Sequence, residues 1–133
     1  MNTVNVRKVE IGKGIPKICV PVVGITRDDI IDAACKAKET ADLVEWRADW
    51  YEDVLDFKKT EKMMEELRET LGDIPLLFTF RTLKEGGEKE IEKSVYVKLN
   101  EMAVKTGFAD LVDAEAFTGT DEVNTIVETA HLY

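Results

Sequence analysis

The segment that decides the fold is Ala41-Asp42-Leu43-Val44-Glu45-Trp46-Arg47, a short apolar run that ends in charged residues. Its first five positions recur in similar form as Ala109-Asp110-Leu111-Val112-Asp113. Both segments are predicted to be strands, and two β-α units separate them. A repeat at the level of strands favours a (β/α) barrel over an open doubly wound sheet, although a repeat this short leaves both open.

Outward from this segment, strand-like and helix-like patterns alternate. Alternating residues at 4–11 predict a short β-hairpin. Strands are predicted at residues 17–23, 42–47, 74–81 and 109–115. Helices are predicted from a capping signal at Thr26, over 56–71, over about 88–105, and from a cap at Asp121. The order is a hairpin and then β-α four times in one domain, 1–133, with units starting near 17, 42, 74 and 109. Such alternation builds a parallel sheet with right-handed crossovers.

The composition is that of a globular protein. Among 133 residues, 18 are Lys or Arg and 27 are Asp or Glu, which gives a formal net charge of −9. This acidity, without any Lys/Arg block, disfavours a nucleic-acid partner. No apolar run approaches the ~20 residues that a membrane span needs, and the N-terminus lacks the apolar region of a secretory signal. We therefore expect a cytoplasmic protein with no membrane partner.

The first β-α unit carries two expectations about burial. Residues 17–23 are continuously apolar, which predicts a strand covered on both faces, and Pro21 within it suggests a bulge or a strand end. Cys19 and Cys35 lie in apolar surroundings without CxxC spacing. They are predicted to be reduced thiols in the core of a cytosolic protein rather than disulfide partners or metal ligands.

Charged residues follow three successive strands, where parallel α/β folds bind ligands. The strand period of two predicts three groups that each share a face: Glu45 with Arg47, Thr79 with Arg81, and Asp113 with Glu115. Together they indicate a site for a small, polar, anionic ligand, with arginine supplying bidentate contacts. The alternatives are an internal Glu45–Arg47 ion pair, an Arg81 that only neutralises carboxylates, and solvated residues at 113 and 115.

The loop after the third strand holds further candidates. Gly86-Gly87 permits a tight turn, and Glu85 beside it could be a general base or the orienting partner of one. The alternative is an ordinary glycine-rich loop with surface charges. Neither GxxxxGK[ST] nor GxGxxG occurs. The single histidine, His131, cannot by itself form a metal cluster or a histidine-based triad, so no metal site is expected.

Several motifs together carry a family resemblance. They are Leu43-Val44-Glu45-Trp46-Arg47-Ala48-Asp49, Pro75-Leu76-Leu77-Phe78-Thr79-Phe80-Arg81, Lys84-Glu85-Gly86-Gly87-Glu88 and Phe117-Thr118-Gly119. The opening Val9-Glu10-Ile11-Gly12 and Pro16-Lys17-Ile18 fits the same pattern. In order and spacing, over essentially the whole chain, the sequence resembles type I 3-dehydroquinate dehydratase. Another Schiff-base barrel of the aldolase type fits less well, because EWR and KEGGE are not its motifs.

The resemblance implies a (β/α)₈ barrel that dehydrates 3-dehydroquinate to 3-dehydroshikimate, the third step of the shikimate pathway, with neither metal nor cofactor. In this family a lysine forms a Schiff base with the substrate ketone and a histidine moves the proton. Glu85 matches the glutamate that orients this histidine. The positions that bind the substrate match Glu45, Arg47 and Arg81.

The same resemblance puts the activity of residues 1–133 alone in doubt. The family's catalytic histidine lies on the fifth strand and its Schiff-base lysine on the sixth, both beyond Tyr133, while His131 and Lys84 match neither. We therefore expect the N-terminal half of a barrel, inactive by itself. The alternative is a non-catalytic half-barrel, and in either case we expect it to form a homodimer or to pair with a missing C-terminal half.

Overall fold

The computed structural model describes residues 2–133 and contains one small antiparallel hairpin and one four-stranded parallel sheet. The strands are β1 (Val4–Val6), β2 (Val9–Ile11), β3 (Cys19–Val22), β4 (Leu43–Arg47), β5 (Leu76–Thr79) and β6 (Leu111–Val112). The helices are α1 (Arg27–Ala37), α2 (Phe57–Leu71), α3 (Lys93–Thr106) and α4 (Thr120–Leu132). The predicted hairpin and the four β-α units of a parallel sheet are confirmed.

The large sheet has the order β3-β4-β5-β6, so each strand pairs with the next one along the chain. Its register sets Val44 beside Leu76 and Trp46 beside Phe78, all of them fully buried. These side chains share one core with Met63, Met64, Leu67 and Leu71 of α2 and with buried residues of α1, α3 and α4. The helices therefore cover one face of the sheet, and the other face stays open.

Helix starts follow local hydrogen bonds. At α1 the predicted capping box is present: the Thr26 side chain accepts from the Asp29 backbone N–H, and the Asp29 carboxylate accepts from that of Thr26. The start of α4 was predicted wrongly, because Gly119 precedes the helix and Asp121 lies in its first turn. An acidic residue there still interacts favourably with the helix dipole.

Helix α3 begins at Lys93, later than the predicted 88, because the preceding residues make other contacts. Thr82 forms a parallel bridge with Lys89, and the Leu83 backbone N–H donates to the Lys89 carbonyl over 2.9 Å. The segment between β5 and α3 is therefore a folded loop with a 3₁₀ turn at Leu83–Glu85 rather than the first turn of a helix.

The expectations about burial in the first unit were wrong. β3 is an edge strand whose Val22 is buried, while Cys19 and Pro21 face away from the core and are exposed. Pro21 needs no bulge, because its register with Glu45 is continuous and an edge strand tolerates a missing donor. Cys35 is also exposed, since α1 turns Ile30, Ala34 and Ala37 toward the core instead.

An ionic cluster ties the hairpin to the amino end of the large sheet. The Asp110 carboxylate accepts from Arg7 Nε over 2.8 Å, from Arg68 Nη1 over 2.9 Å and from the Leu76 backbone N–H over 2.9 Å. Arg7 also pairs with Asp73 over 3.2 Å. Hairpin, α2, β5 and β6 are thereby joined at the end of the sheet that lies opposite the charged strand ends.

None of the helices within residues 2–133 is long and apolar enough to span a membrane.

Candidate functional site

Polar side chains line the open face of the sheet where the strands end. Along β4, Glu45 and Arg47 alternate with the buried Val44 and Trp46, as the strand period predicts. Thr79 of β5 donates its hydroxyl to Glu45 Oε2 over 2.7 Å. No donor among residues 2–133 reaches the other oxygen, so Glu45 keeps an acceptor for a ligand.

Arg47 is held by a carboxylate two residues further along the chain. Its Nε and Nη2 donate to the two oxygens of Asp49, each over 2.9 Å. Hydrogen bonding to Asp49 raises the pKa of Arg47, against the opposing effect of burial. The alternative of a Glu45–Arg47 ion pair is wrong, because Asp49 is the partner of Arg47 and Glu45 accepts from Thr79. Arg47 Nη1 makes no hydrogen bond within residues 2–133, so its N–H donors are free.

Arg81, just after β5, is held by two carboxylates of the next strand end. Its Nη1 donates to Glu115 over 2.8 Å and its Nη2 to Asp113 over 3.1 Å. Burial opposes the charge of Arg81, but the attraction of Asp113 and Glu115 outweighs it and raises the pKa of the guanidinium. Arg81 therefore does neutralise carboxylates, as the alternative held. Its Nε makes no hydrogen bond among the described residues.

Glu115 is 6% exposed, so its interpretation as a solvated residue was wrong. Besides Arg81, its carboxylate accepts from the Thr82 backbone N–H over 3.1 Å and from the Thr82 hydroxyl over 2.7 Å. The Tyr96 hydroxyl accepts from the Glu115 backbone N–H over 3.0 Å and donates to the Asp113 carbonyl over 3.3 Å. These bonds lock the ends of β5 and β6 to each other and to α3.

Glu85 lies apart from these arginines. It is exposed on the 3₁₀ turn Leu83–Glu85, at the rim of a cavity of about 450 Å³. The cavity is lined by the loop before α3, by Tyr96 of α3, and by the segment after β6, including Glu115 and Phe117. Among residues 2–133, the lining of this cavity includes Glu85 but not Glu45, Arg47 or Arg81, so the structure does not bring Glu85 and these three residues together around one cavity.

Three contributors to this arrangement were missed at the level of sequence: Asp49, Thr82 and Tyr96. Asp49 is fully buried, although it follows a strand end where a charge would ordinarily be solvated. A usable signal was its spacing of two from Arg47 and its position between two apolar residues, Ala48 and Trp50. Thr82 and Tyr96 gave no comparable signal, because their partners lie far away in the sequence.

Within residues 2–133, no group of three or more His, Cys, Asp or Glu side chains is arranged to hold a metal ion. His131 lies exposed in the last turn of α4, away from the polar strand ends. The arginines at the strand ends have the chemistry to bind an anionic group, and the glutamates can accept hydrogen bonds or transfer a proton.

Comparison with known proteins gives one consistent answer. Residues 18–133 match the family model described as type I 3-dehydroquinase. A 3-dehydroquinate dehydratase from Clostridium botulinum is 53% identical over 129 residues, which cover 96% of this chain and 51% of that protein. One from Bacillus licheniformis is 48% identical over 129 residues, with the same coverage.

Solved structures agree with these sequence matches. A type I 3-dehydroquinate dehydratase from Clostridium difficile, crystallised with covalently modified comenic acid, superposes with a TM-score of 0.96 at 43% identity, covering 98% of this chain and 52% of that one. The enzyme from Enterococcus faecalis gives 0.91 at 44% identity, with 97% and 54% covered. The chain spans about half the length of the curated relatives it matches.

The buried Tyr96 leads to a prediction about alkaline stability. Burial raises its pKa, and the charges of Glu115 and Asp113 add to this, against the hydrogen bond from the Glu115 backbone and the charge of Arg81. A raised pKa in the folded state contributes stability that is complete below about pH 10, the ordinary tyrosine pKa, and is lost as the pH rises from there through the raised pKa. Tyr96→Phe should lower the free energy of unfolding by about 1 kcal/mol at pH 8 and make it decline less steeply above pH 10.

Chemical denaturation between pH 8 and 11 measures this difference. Tyr133→Phe, at an exposed tyrosine, is the matched control and should keep the wild-type pH dependence. Equal slopes for wild type and Tyr96→Phe above pH 10 would contradict the prediction.

Proposed function

The chain belongs to the type I 3-dehydroquinase family, a family of hydro-lyases of the shikimate pathway, and we propose that it supplies the substrate-binding half of an enzyme that dehydrates 3-dehydroquinate. The observation that carries the proposal is the polar open face at the strand ends. There Glu45, Arg47 and Arg81 are held by other residues yet keep free hydrogen-bonding groups.

The charges of this face suit an anionic, hydroxylated substrate. Free guanidinium N–H groups of Arg47 and Arg81 would bind carboxylate or hydroxyl oxygens, and the free oxygen of Glu45 would accept from a hydroxyl. In a chain with a formal net charge of −9, such local arginines are needed to attract an anion. Their carboxylate partners hold the side chains in place before the substrate arrives, which lowers the entropic cost of binding.

Glu85 is assigned a different role from the arginines. By the family resemblance it hydrogen-bonds the catalytic histidine, which moves the proton while a lysine holds the substrate as a Schiff base. Its exposed position on the 3₁₀ turn Leu83–Glu85, beside the cavity, leaves the carboxylate accessible to such a partner. Glu85 would then orient the proton-transfer group rather than bind the substrate.

The proposal extends to architecture. Residues 1–133 would form one unit, the first four β-α units of a (β/α)₈ barrel with the hairpin beneath it. The histidine would come from the fifth strand and the Schiff-base lysine from the sixth, both in the other half. About half the length of the curated relatives lies outside the matched region, which supports this division.

Unpaired strand edges support a requirement for a partner. Within residues 2–133, β3 and β6 each pair on one side only, and the open face exposes apolar atoms of Cys19 and Pro21. Exposed edges and apolar patches drive association. Residues 1–133 alone would therefore either close with a second copy, β6 of each beside β3 of the other, or pair with the C-terminal half. The first case is the alternative function, a non-catalytic module that self-assembles.

A cytoplasmic location is part of the proposal. Cys19 and Cys35 are both exposed and unbridged. Exposed thiols persist in reducing compartments and tend to be oxidised elsewhere.

The function is tested by turnover of the complete protein and of a polypeptide of residues 1–133. The complete protein should convert 3-dehydroquinate to the enone 3-dehydroshikimate, followed by its ultraviolet absorbance, and borohydride should trap a substrate imine. The 133-residue polypeptide should show neither, because the proposed nucleophile and proton shuttle would be supplied by the other half. Turnover by the purified polypeptide without a trapped imine would overturn the mechanism.

The residue roles are tested by two substitutions in the complete protein. Glu85→Gln should lower kcat more than it raises KM, because Glu85 orients the group that transfers the proton. Arg81→Ala should raise KM at least as strongly as it lowers kcat, because the guanidinium binds the ground state as well. The opposite pattern in steady-state kinetics would reverse the two assignments.

Assembly of residues 1–133 is tested by light scattering. The polypeptide should be a dimer or a larger species, and adding the separately produced C-terminal half should convert it to a one-to-one complex. A compact monomer that melts cooperatively would contradict both forms of pairing.

A further inference from the structure

Asp49 stands out as a buried carboxylate whose hydrogen bonds are all used. Its Oδ1 accepts from Arg47 Nε over 2.9 Å and from the Arg81 backbone N–H over 3.2 Å. Its Oδ2 accepts from Arg47 Nη2 over 2.9 Å and from the Glu88 backbone N–H over 3.1 Å. An ionised carboxylate offers about four acceptor sites, so Asp49, which is 0% exposed, has none left for a substrate or water.

The two backbone donors lie on opposite sides of the loop that carries Glu85. Arg81 begins the loop and Glu88 ends it, so one carboxylate fastens both sides of its base. At the base of this loop, a Cβ on Gly87 would lie 1.8 Å from the Arg81 carbonyl oxygen, so only glycine lets the two ends of the loop approach this closely.

A lysine side chain also binds the main chain at Asp49. Lys89 Nζ donates to the Asp49 carbonyl over 2.6 Å and to the Tyr51 carbonyl over 3.0 Å. Arg47 thus supplies the positive charge that a carboxylate out of water requires, while Lys89 binds the main-chain carbonyl of the same residue. The charge of Asp49 is balanced by a residue that belongs to the proposed site.

We propose that Asp49 is a positioning residue that sets the Arg47 guanidinium and the Glu85 loop together, so that substrate binding and proton transfer share one support. The inference rests on the proposed function of Arg47 and Glu85. It predicts that Asp49 affects KM through Arg47 and kcat through the loop, without touching the substrate.

The informative substitution is Asp49→Asn in the complete protein. Because each oxygen accepts from one Arg47 nitrogen and one backbone N–H, either orientation of the amide turns its NH₂ group against both an arginine donor and a loop donor. We expect kcat to fall and KM to rise together, with kcat/KM reduced about 100-fold or more. Combined with Glu85→Gln, Asp49→Asn should lower kcat by less than the product of the single effects, since both act on one step.

Asp110→Asn is the matched control. Asp110 also accepts from two arginines and a backbone N–H, but it does so at the amino end of the sheet. It should lower the melting temperature comparably while kcat and KM stay within about threefold of wild type. A purely structural role for Asp49 would instead make the two variants alike, with activity lost only in proportion to unfolded protein.

A second variant covers the case in which Asp49→Asn does not fold. Lys89→Met removes the half-buried cation that holds the Asp49 carbonyl, and it should reduce kcat/KM about tenfold in folded protein. If Asp49→Asn folds and its kcat and KM are unchanged, the positioning role is overturned but the proposed function is not. If Asp49→Asn does not fold, unchanged kcat and KM in Lys89→Met have the same consequence. No turnover by the wild-type protein would overturn the proposed function, and this inference with it.

Discussion

Charged groups that leave water need opposite charges and hydrogen-bond donors, and this constraint organises both ends of the large sheet. At the amino end, Asp110 joins Arg7 of the hairpin to Arg68 of α2 and to the backbone of β5. At the carboxyl end, Asp49 and Glu115 hold Arg47 and Arg81. Each cluster links elements that are distant in sequence, so the same interactions that satisfy buried charge also fix how the strands and loops meet.

The two ends of the sheet nevertheless differ in the hydrogen-bonding groups that they leave free. The amino-end cluster joins structural elements to each other. At the carboxyl end, Glu45 keeps an oxygen and Arg47 a guanidinium nitrogen without partners among residues 2–133. A binding face needs this combination, because its groups must be rigid and yet retain hydrogen-bonding capacity. Under the proposed function, this free capacity would bind an anionic, hydroxylated substrate.

The open face is the reason that the proposed function gives this chain a second half. The helices cover only the side of the sheet that carries Trp46 and Phe78, and β3 and β6 end as edges. A closed barrel removes such edges and encloses the polar strand ends in a ring of loops. Substrate-binding groups at the ends of β4 and β5 and proton-transfer groups on the strands of the other half would then surround one molecule, which is the arrangement that the proposed chemistry requires.

The sequence by itself determined the β-α alternation, the hairpin, the cap at Thr26 and the common face of Glu45 and Arg47, because these follow from local hydrogen bonding and from the periods of strand and helix. Its motifs also identified the family. Only the tertiary structure decided that Asp49 and Glu115 are buried, that Arg47 pairs with Asp49, that α3 starts at Lys93, and that Cys19 and Cys35 are exposed. The burial of Glu115 and the start of α3 are decided by hydrogen-bond partners on other strands and loops. The exposure of the two cysteines depends on which face of the sheet the helices cover. Asp49 is only two residues from its partner Arg47, but its burial depends on the backbone N–H groups of Arg81 and Glu88. Such long-range contacts are not encoded in a local pattern.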